Sequence, residues 1–259
     1  MAITSCPKCK YHRQMQDEQV HPDICPRCGI AYSKFLARRE AQHPAEGNFT
    51  AEPDIEIEVS PSLRQQLLAA LFAVPEKTSK ESFYAHALLL CAFSVWGFYF
   101  ISSGVNWEII GSSFMHNINL PFHEFGHILF MPFGEFMMIL GGSLFQVLLP
   151  FVLTLVFVFK QKDTFAGSIT LWWCGQSFID VSPYIADAEY RALPLVGGSG
   201  EESHDWGNLL TMMNALEYTR AIANASFVVG TLIIMVAILW GGWILKLQKK
   251  NLVSMYDQT

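Results

Sequence analysis

The early part of this chain is mostly polar, and apolar residues gather into long runs after residue 82. Four runs, 83–101, 136–159, 165–186 and 221–245, match the ~20 apolar residues that a helix needs to cross a bilayer. They predict four membrane-spanning helices. The third run carries Gln176, Ser177, Asp180 and Pro183. Polar groups are expensive in hydrocarbon, so this helix is expected to face the protein interior and to mark function. A fifth stretch, 114–131, opens on His116, Asn117 and Asn119 and is interrupted by Pro121. Only its second half is strongly apolar. It is expected to enter the membrane halfway, with a full span as the alternative.

Upstream of the spans, Ser60-Pro61 reads as an N-cap followed by proline in the first turn. Leu63, Leu67, Leu68, Leu71 and Phe72 then recur at helical spacing, with Arg64, Gln65 and Gln66 off that face. The pattern predicts an amphipathic helix within 61–75, lying on the membrane surface or packed on the head. Residues 34–60 are charged and contain Pro44 and Pro53, which suits a solvated tether. Ile55, Ile57 and Val59 alternate with Glu56 and Glu58 and could form one short strand, but nothing nearby offers a partner. The expected fold is an all-α polytopic membrane protein. Its body, 83–250, has about four spans plus a half-inserted or spanning helix at 114–131, and a small head occupies 1–33.

Composition agrees. Hydrophobic residues make up 51% of the chain and charged residues 15%, against roughly 25% charged in ordinary globular proteins. A net charge of −6 gives no general attraction to nucleic acid, and no nucleic-acid partner is expected. No apolar targeting segment follows Met1, so the later spans are expected to direct insertion. Lys160 and Lys162 flank one span, and Lys246, Lys249 and Lys250 follow the last. Basic flanks favour the cytosol. Four spans satisfy this with both termini cytosolic and the acidic 187–217 loop outside, whereas five would export the basic tail. The expectation is a multi-pass protein of a bacterial inner membrane, surrounded by lipid bilayer.

Six cysteines divide into two kinds. Cys91 and Cys174 stand alone in apolar runs and read as small buried hydrophobes. Cys6, Cys9, Cys25 and Cys28 form two Cys-x-x-Cys knuckles, a spacing that suits one tetrahedral Zn²⁺. A head this small buries too little apolar surface to fold alone, and a structural metal supplies the missing stability. Thiolate ligation places the head in a reducing compartment, where it is free to meet a cytosolic partner.

His123-Glu124-Phe125-Gly126-His127 carries the chemistry. Residues four apart share a helix face, so both imidazoles can bind one Zn²⁺. Glu124 beside them suits a general base acting on a water that the metal activates. A catalytic zinc takes three protein ligands, so a third must come from elsewhere. Gly141, Gly142 and Ser143, one turn before Gln146, offer small residues for close helix approach. Ser203-His204-Asp205-Trp206 offers either further ligands or a helix start capped by Asp205. His116 reads as structural or interfacial.

The His123–His127 motif within membrane sequence resembles the site-2-protease family of intramembrane zinc metalloproteases. That family adds a downstream Asp ligand on another membrane helix, in an Asn-Pro-x-Pro…Leu-Asp-Gly context. The matching stretch here, residues 177–188, keeps Pro183 followed by Asp187 but lacks the Asn-Pro start and the Leu-Asp-Gly ending. The resemblance implies Asp187 as third ligand, by its spacing after Pro183, with Asp180, His204 and Asp205 in reserve. It implies one catalytic zinc beside the structural one, and an endopeptidase that cuts a membrane-associated protein through a Glu-activated water. The alternative is a non-proteolytic membrane scaffold or sensor whose zinc-ribbon head binds a partner.

Overall fold

The structure is a computed structural model and describes residues 5–14, 17, 19–40, 61–194 and 203–252. It divides into two compact units, Met1–Val59 and Ser60–Thr259.

The first unit is built from the two knuckles, which repeat one backbone pattern. The N–H of Lys10 donates to the Cys6 carbonyl and that of Gly29 to the Cys25 carbonyl, both at 2.9 Å. Lys10 and Gly29 occupy the same place after their knuckles, both at positive φ, 59° and 71°. Antiparallel bridges Ser5–His12 and Ile24–Ala31 close the two loops. Arg13, just after the first loop, donates to the Val20 carbonyl and, at 3.3 Å, to the Ile24 carbonyl of the second loop. Helix α1, Tyr32–Glu40, follows directly, so regular structure runs into the stretch expected to be tether. Asp23 fixes its start: the Ser33 hydroxyl and N–H donate to its carboxylate at 2.6 and 3.0 Å. The expected strand at Ile55 to Val59 and the expected cap Ser60 lie outside the described residues.

The second unit opens with α2, Leu63–Leu71. Ser62 is its N-cap, in a reciprocal capping box with Gln65, so the start falls two residues later than expected and Pro61 precedes the cap. Leu63, Leu67, Leu68 and Phe72 are exposed, which leaves this apolar face uncovered by the protein. Then come α3 (Lys80–Ser103), α4 (Trp107–Ile110), α5 (Phe114–Phe130), and α6 (Glu135–Leu155), which continues as a π-helical stretch, Val156–Gln161. The chain continues through α7 (Thr164–Ala186), α8 (Asp205–Met212) and α9 (Thr219–Lys250). Among the described residues there is no strand, only isolated bridges.

Three helices are long and apolar enough to cross a membrane: Lys80–Ser103, Glu135–Gln161 and Leu216–Lys250. The remaining run of the four expected spans forms α7, which is not one of the three. Its polar residues lower its hydropathy, and they face protein rather than lipid: Gln176, Ser177, Asp180 and Ser182 are all buried. Helix α7 is the hub, packing on α9, α6 and α3. Its Trp172 and Ile179 form a core with Phe100 of α3 and Ile234 of α9. At the α7–α9 crossing, a Cβ on Gly230 would lie 2.4 Å from the Gly175 carbonyl oxygen, so glycine permits the approach.

Contacts gather the start of α3, the start of α7 and the end of α9 at one end of the bundle. His86 Nδ1 lies 3.0 Å from Gln248 Oε1, the Thr164 hydroxyl donates to the Ala73 carbonyl, and the Asn251 amide to the Pro75 carbonyl. The α6 N-terminus, the α7 C-terminus and α8 lie toward the other end. Helix α5 runs unbroken through Pro121, contrary to the expected interruption. The proline removes one N–H donor without ending the helix. Cys174 is buried as expected, whereas Cys91 is exposed on α3.

Candidate metal centre

Four sulfurs converge in the head. The thiols of Cys6, Cys9, Cys25 and Cys28 all lie within 4.8 Å of one another. The Cys6–Cys28 and Cys9–Cys25 pairs are each 3.7 Å apart. A disulfide needs ~2.05 Å. A tetrahedron with Zn–S bonds of ~2.3 Å has edges of about 3.8 Å, so the cluster fits zinc. Burial disfavours the Cys25 thiolate, yet the N–H groups of Cys28 and Arg27 and the neighbouring thiols bring that thiol down to about 6. A thiol already disposed to ionise suits a metal ligand.

The second group lies in the helical unit. His123 and His127 sit one turn apart on α5, and Asp205 opens α8. Asp205 Oδ2 lies 2.9 Å from His123 Nε2 and 3.3 Å from His127 Nε2. Three ligand atoms, one from each residue, lie within 4.8 Å of one another. The far side of each ring is engaged. His127 Nδ1 lies 2.9 Å from the Met138 carbonyl, and His123 Nδ1 lies 3.2 Å from Gln146 Oε1. Both partners are acceptors, so each Nδ1 carries a proton and each Nε2 is the nitrogen turned toward Asp205. Two imidazole nitrogens and a carboxylate oxygen this close together could hold one shared cation. Bonds of ~2.0 Å about tetrahedral zinc put ligand atoms about 3.3 Å apart, close to the spacing found.

Several devices hold this triangle. The Asp205 N–H donates to the Tyr184 hydroxyl at 2.9 Å, and that hydroxyl donates to the Ser203 carbonyl. Trp206 donates from its indole to the Ser143 hydroxyl at 3.0 Å, tying α8 to α6. Gly142 gives the imidazoles room, since a Cβ there would stand 2.6 Å from both Nε2 atoms. Gly126 and Gly141 bring α5 onto α6, backbone against backbone.

The structure does not bring Asp187, the expected third ligand, to the histidines. Asp187 caps the end of α7, and its two oxygens accept from the N–H groups of Ala192 and Leu193, both at 3.0 Å. It closes that turn, with His204 Nδ1 3.8 Å away. His204 is the N-cap of α8, which makes Asp205 its first helical residue rather than its cap. Asp180 also stands off the triangle. It meets His116 Nδ1 at 3.1 Å, Asn119 Nδ2 at 3.1 Å and Gln146 Nε2 at 2.7 Å. His116 is therefore part of a buried polar cluster. Sequence reasoning passed over His116, Asn119 and Gln146 as partners. The available signal was polar residues set in apolar helices.

The ligand triangle and the Asp180 cluster open on one cavity of about 300 Å³. His123, His127, Asp205 and Glu124 line one part of it, and His116 and Asp180 another. Trp107, Leu120, Met138, Ile139, Leu193 and Pro194 supply apolar wall. No protein-family model, curated protein or solved structure matches this chain.

Proposed function

We propose that the chain is a membrane-embedded zinc endopeptidase that hydrolyses a peptide bond of a membrane-associated protein. One observation carries the reading: His123, His127 and Asp205 converge on one point, and Glu124 lines the same cavity. His123, His127 and Asp205 would hold a zinc with three protein ligands, the number that hydrolytic sites use, whereas the four thiols of the head would supply a full protein set. A zinc ion held by these residues would supply Lewis acidity toward water and the peptide carbonyl. Glu124 takes the proton from the attacking water and passes it to the leaving amine. Asp205 completes the ligand set, and Tyr184 holds Asp205 in place. The apolar walls receive a substrate chain from the bilayer. In this reading the basic ends of α6 and α9 face the cytosol, and the metal centre lies toward the opposite face.

The test is a zinc count on the purified full-length chain beside single variants, with cleavage of a membrane-protein reporter. Wild type is expected to hold two zinc ions and to cleave. Asp205→Ala should hold one and lose cleavage, while Asp187→Ala should keep both ions. A wild-type chain that holds only the head's zinc, or an Asp205→Ala variant that still cleaves at the wild-type rate, overturns the reading.

A further inference from the structure

We infer that Asp180 is a positioning residue for the metal centre, acting by fixing which way round Gln146 presents its amide to His123. The inference rests on the metal-centre reading above and deepens it.

A glutamine amide can offer its oxygen or its NH₂ to a neighbour. With the oxygen facing His123 Nδ1, that nitrogen carries the proton and Nε2 keeps its lone pair for the metal. With the NH₂ facing it, Nδ1 becomes the acceptor. The proton then sits on Nε2 and blocks the ligand position. Helix α6 alone does not choose between the two. Asp180 does, because an ionised carboxylate only accepts. Its Oδ2 lies 2.7 Å from Gln146 Nε2, which commits the other end of the amide, Oε1, to His123 Nδ1 at 3.2 Å.

Asp180 is anchored by the same logic. Trp173 can only donate, and its indole N–H reaches Asn119 Oδ1 at 2.8 Å. Asn119 must therefore turn its NH₂ outward, to Asp180 Oδ2 at 3.1 Å and Gln176 Oε1 at 2.9 Å. His116 Nδ1 adds a further contact to Asp180 at 3.1 Å. Asn119, Gln146, Gln176 and Asp180 are all buried, so solvent does not scramble these choices. A chain of single-role groups thus runs from Trp173 through Asn119, Asp180 and Gln146 to His123. Groups that orient ligand histidines typically govern metal affinity by about 10- to 100-fold.

A glutamate at position 146 has no wrong way round, since both its oxygens accept. That makes a rescue experiment decisive. Zinc affinity of the full-length chain in detergent is measured by competition with a chelator, with the head's zinc as internal reference. Asp180→Ala is expected to weaken the second zinc on the order of 10- to 100-fold. Gln146→Glu combined with Asp180→Ala should restore it to near the wild-type value. Gln146→Leu should weaken it as Asp180→Ala does, and it stands in if the alanine variant does not fold. Unchanged affinity in Asp180→Ala or Gln146→Leu overturns the inference. A loss in Asp180→Ala that glutamate at 146 does not rescue also overturns it, because a carboxylate that merely fills the core has no reason to be replaced there. Absence of a second zinc in wild type removes the metal-centre reading itself, a result distinct from both.

Discussion

At Gly142 a single methyl group decides whether the metal centre has room. The added Cβ would stand 2.6 Å from the Nε2 atoms of both ligand histidines. Those rings cannot retreat freely, because Gln146 and the Met138 carbonyl hold them from behind. Gly142→Ala is expected to weaken the second zinc by about tenfold or more, the range for disturbed ligand orientation, and to leave the head's zinc untouched. Competition against a chelator reads both sites at once. Glu124 makes the opposite prediction. It lines the cavity but is not in the ligand triangle. Glu124→Gln should keep two zinc ions and lose reporter cleavage by roughly 10²- to 10⁴-fold, the usual contribution of a general base. Cleavage at the wild-type rate in the glutamine variant would overturn the general-base role of Glu124 and with it the metalloprotease mechanism.

Between elements, the α5–α6 contact is set by glycine meeting glycine. A Cβ on Gly126 would lie 2.2 Å from the Gly141 carbonyl oxygen. That atom is backbone and cannot swing aside, so the helices must part. Gly126→Ala should destabilise the protein by ~1–3 kcal/mol, the usual cost of overpacking. It should also loosen the metal centre, since Gly126 lies between His123 and His127. Gly242 is the control. It too lies in a helix, α9, but a Cβ there meets nothing within 4 Å. Gly242→Ala should leave stability unchanged or raise it by up to about 1 kcal/mol through helix propensity. Thermal unfolding in detergent compares the two variants directly.

For the molecule as a whole, the bundle gathers its basic flanks at one end. Lys160 closes the π-helical extension of α6, and Lys249 and Lys250 close α9. The contacts between His86 and Gln248, and between Thr164 and Ala73, belong to that same end. In the orientation proposed above, following the positive-inside rule, this end would face the cytosol and the turn after α7 the outside. Tyr190 in that turn is exposed. Tyr190→Cys is expected to react with a membrane-impermeant maleimide in intact cells. Reaction only after permeabilisation would reverse the proposed orientation.

Much of this was legible in the sequence because it is local. Cys-x-x-Cys brings two thiols together within one turn of chain, and His-x-x-x-His puts two imidazoles on one helix face. Neither result depends on the rest of the fold. The runs of apolar residues marked the helices, and the polar residues of α7 marked it as facing protein rather than lipid. The third member of the metal triangle could not be read in this way. Asp205 is 82 residues from His123 along the chain. The family resemblance implied Asp187, by its spacing after Pro183, but the turn beyond α7 consumes both Asp187 oxygens in closing itself. The Tyr184 hydroxyl and the Trp206–Ser143 bond then carry α8 back so that its first residue faces the histidines. The roles of Gln146 and Asp180 likewise required three helices to be packed before their side chains met. Sequence alone determined the ligands that one element delivers. Tertiary structure decided those that different elements deliver together, because only packing sets the distance between residues far apart in the chain.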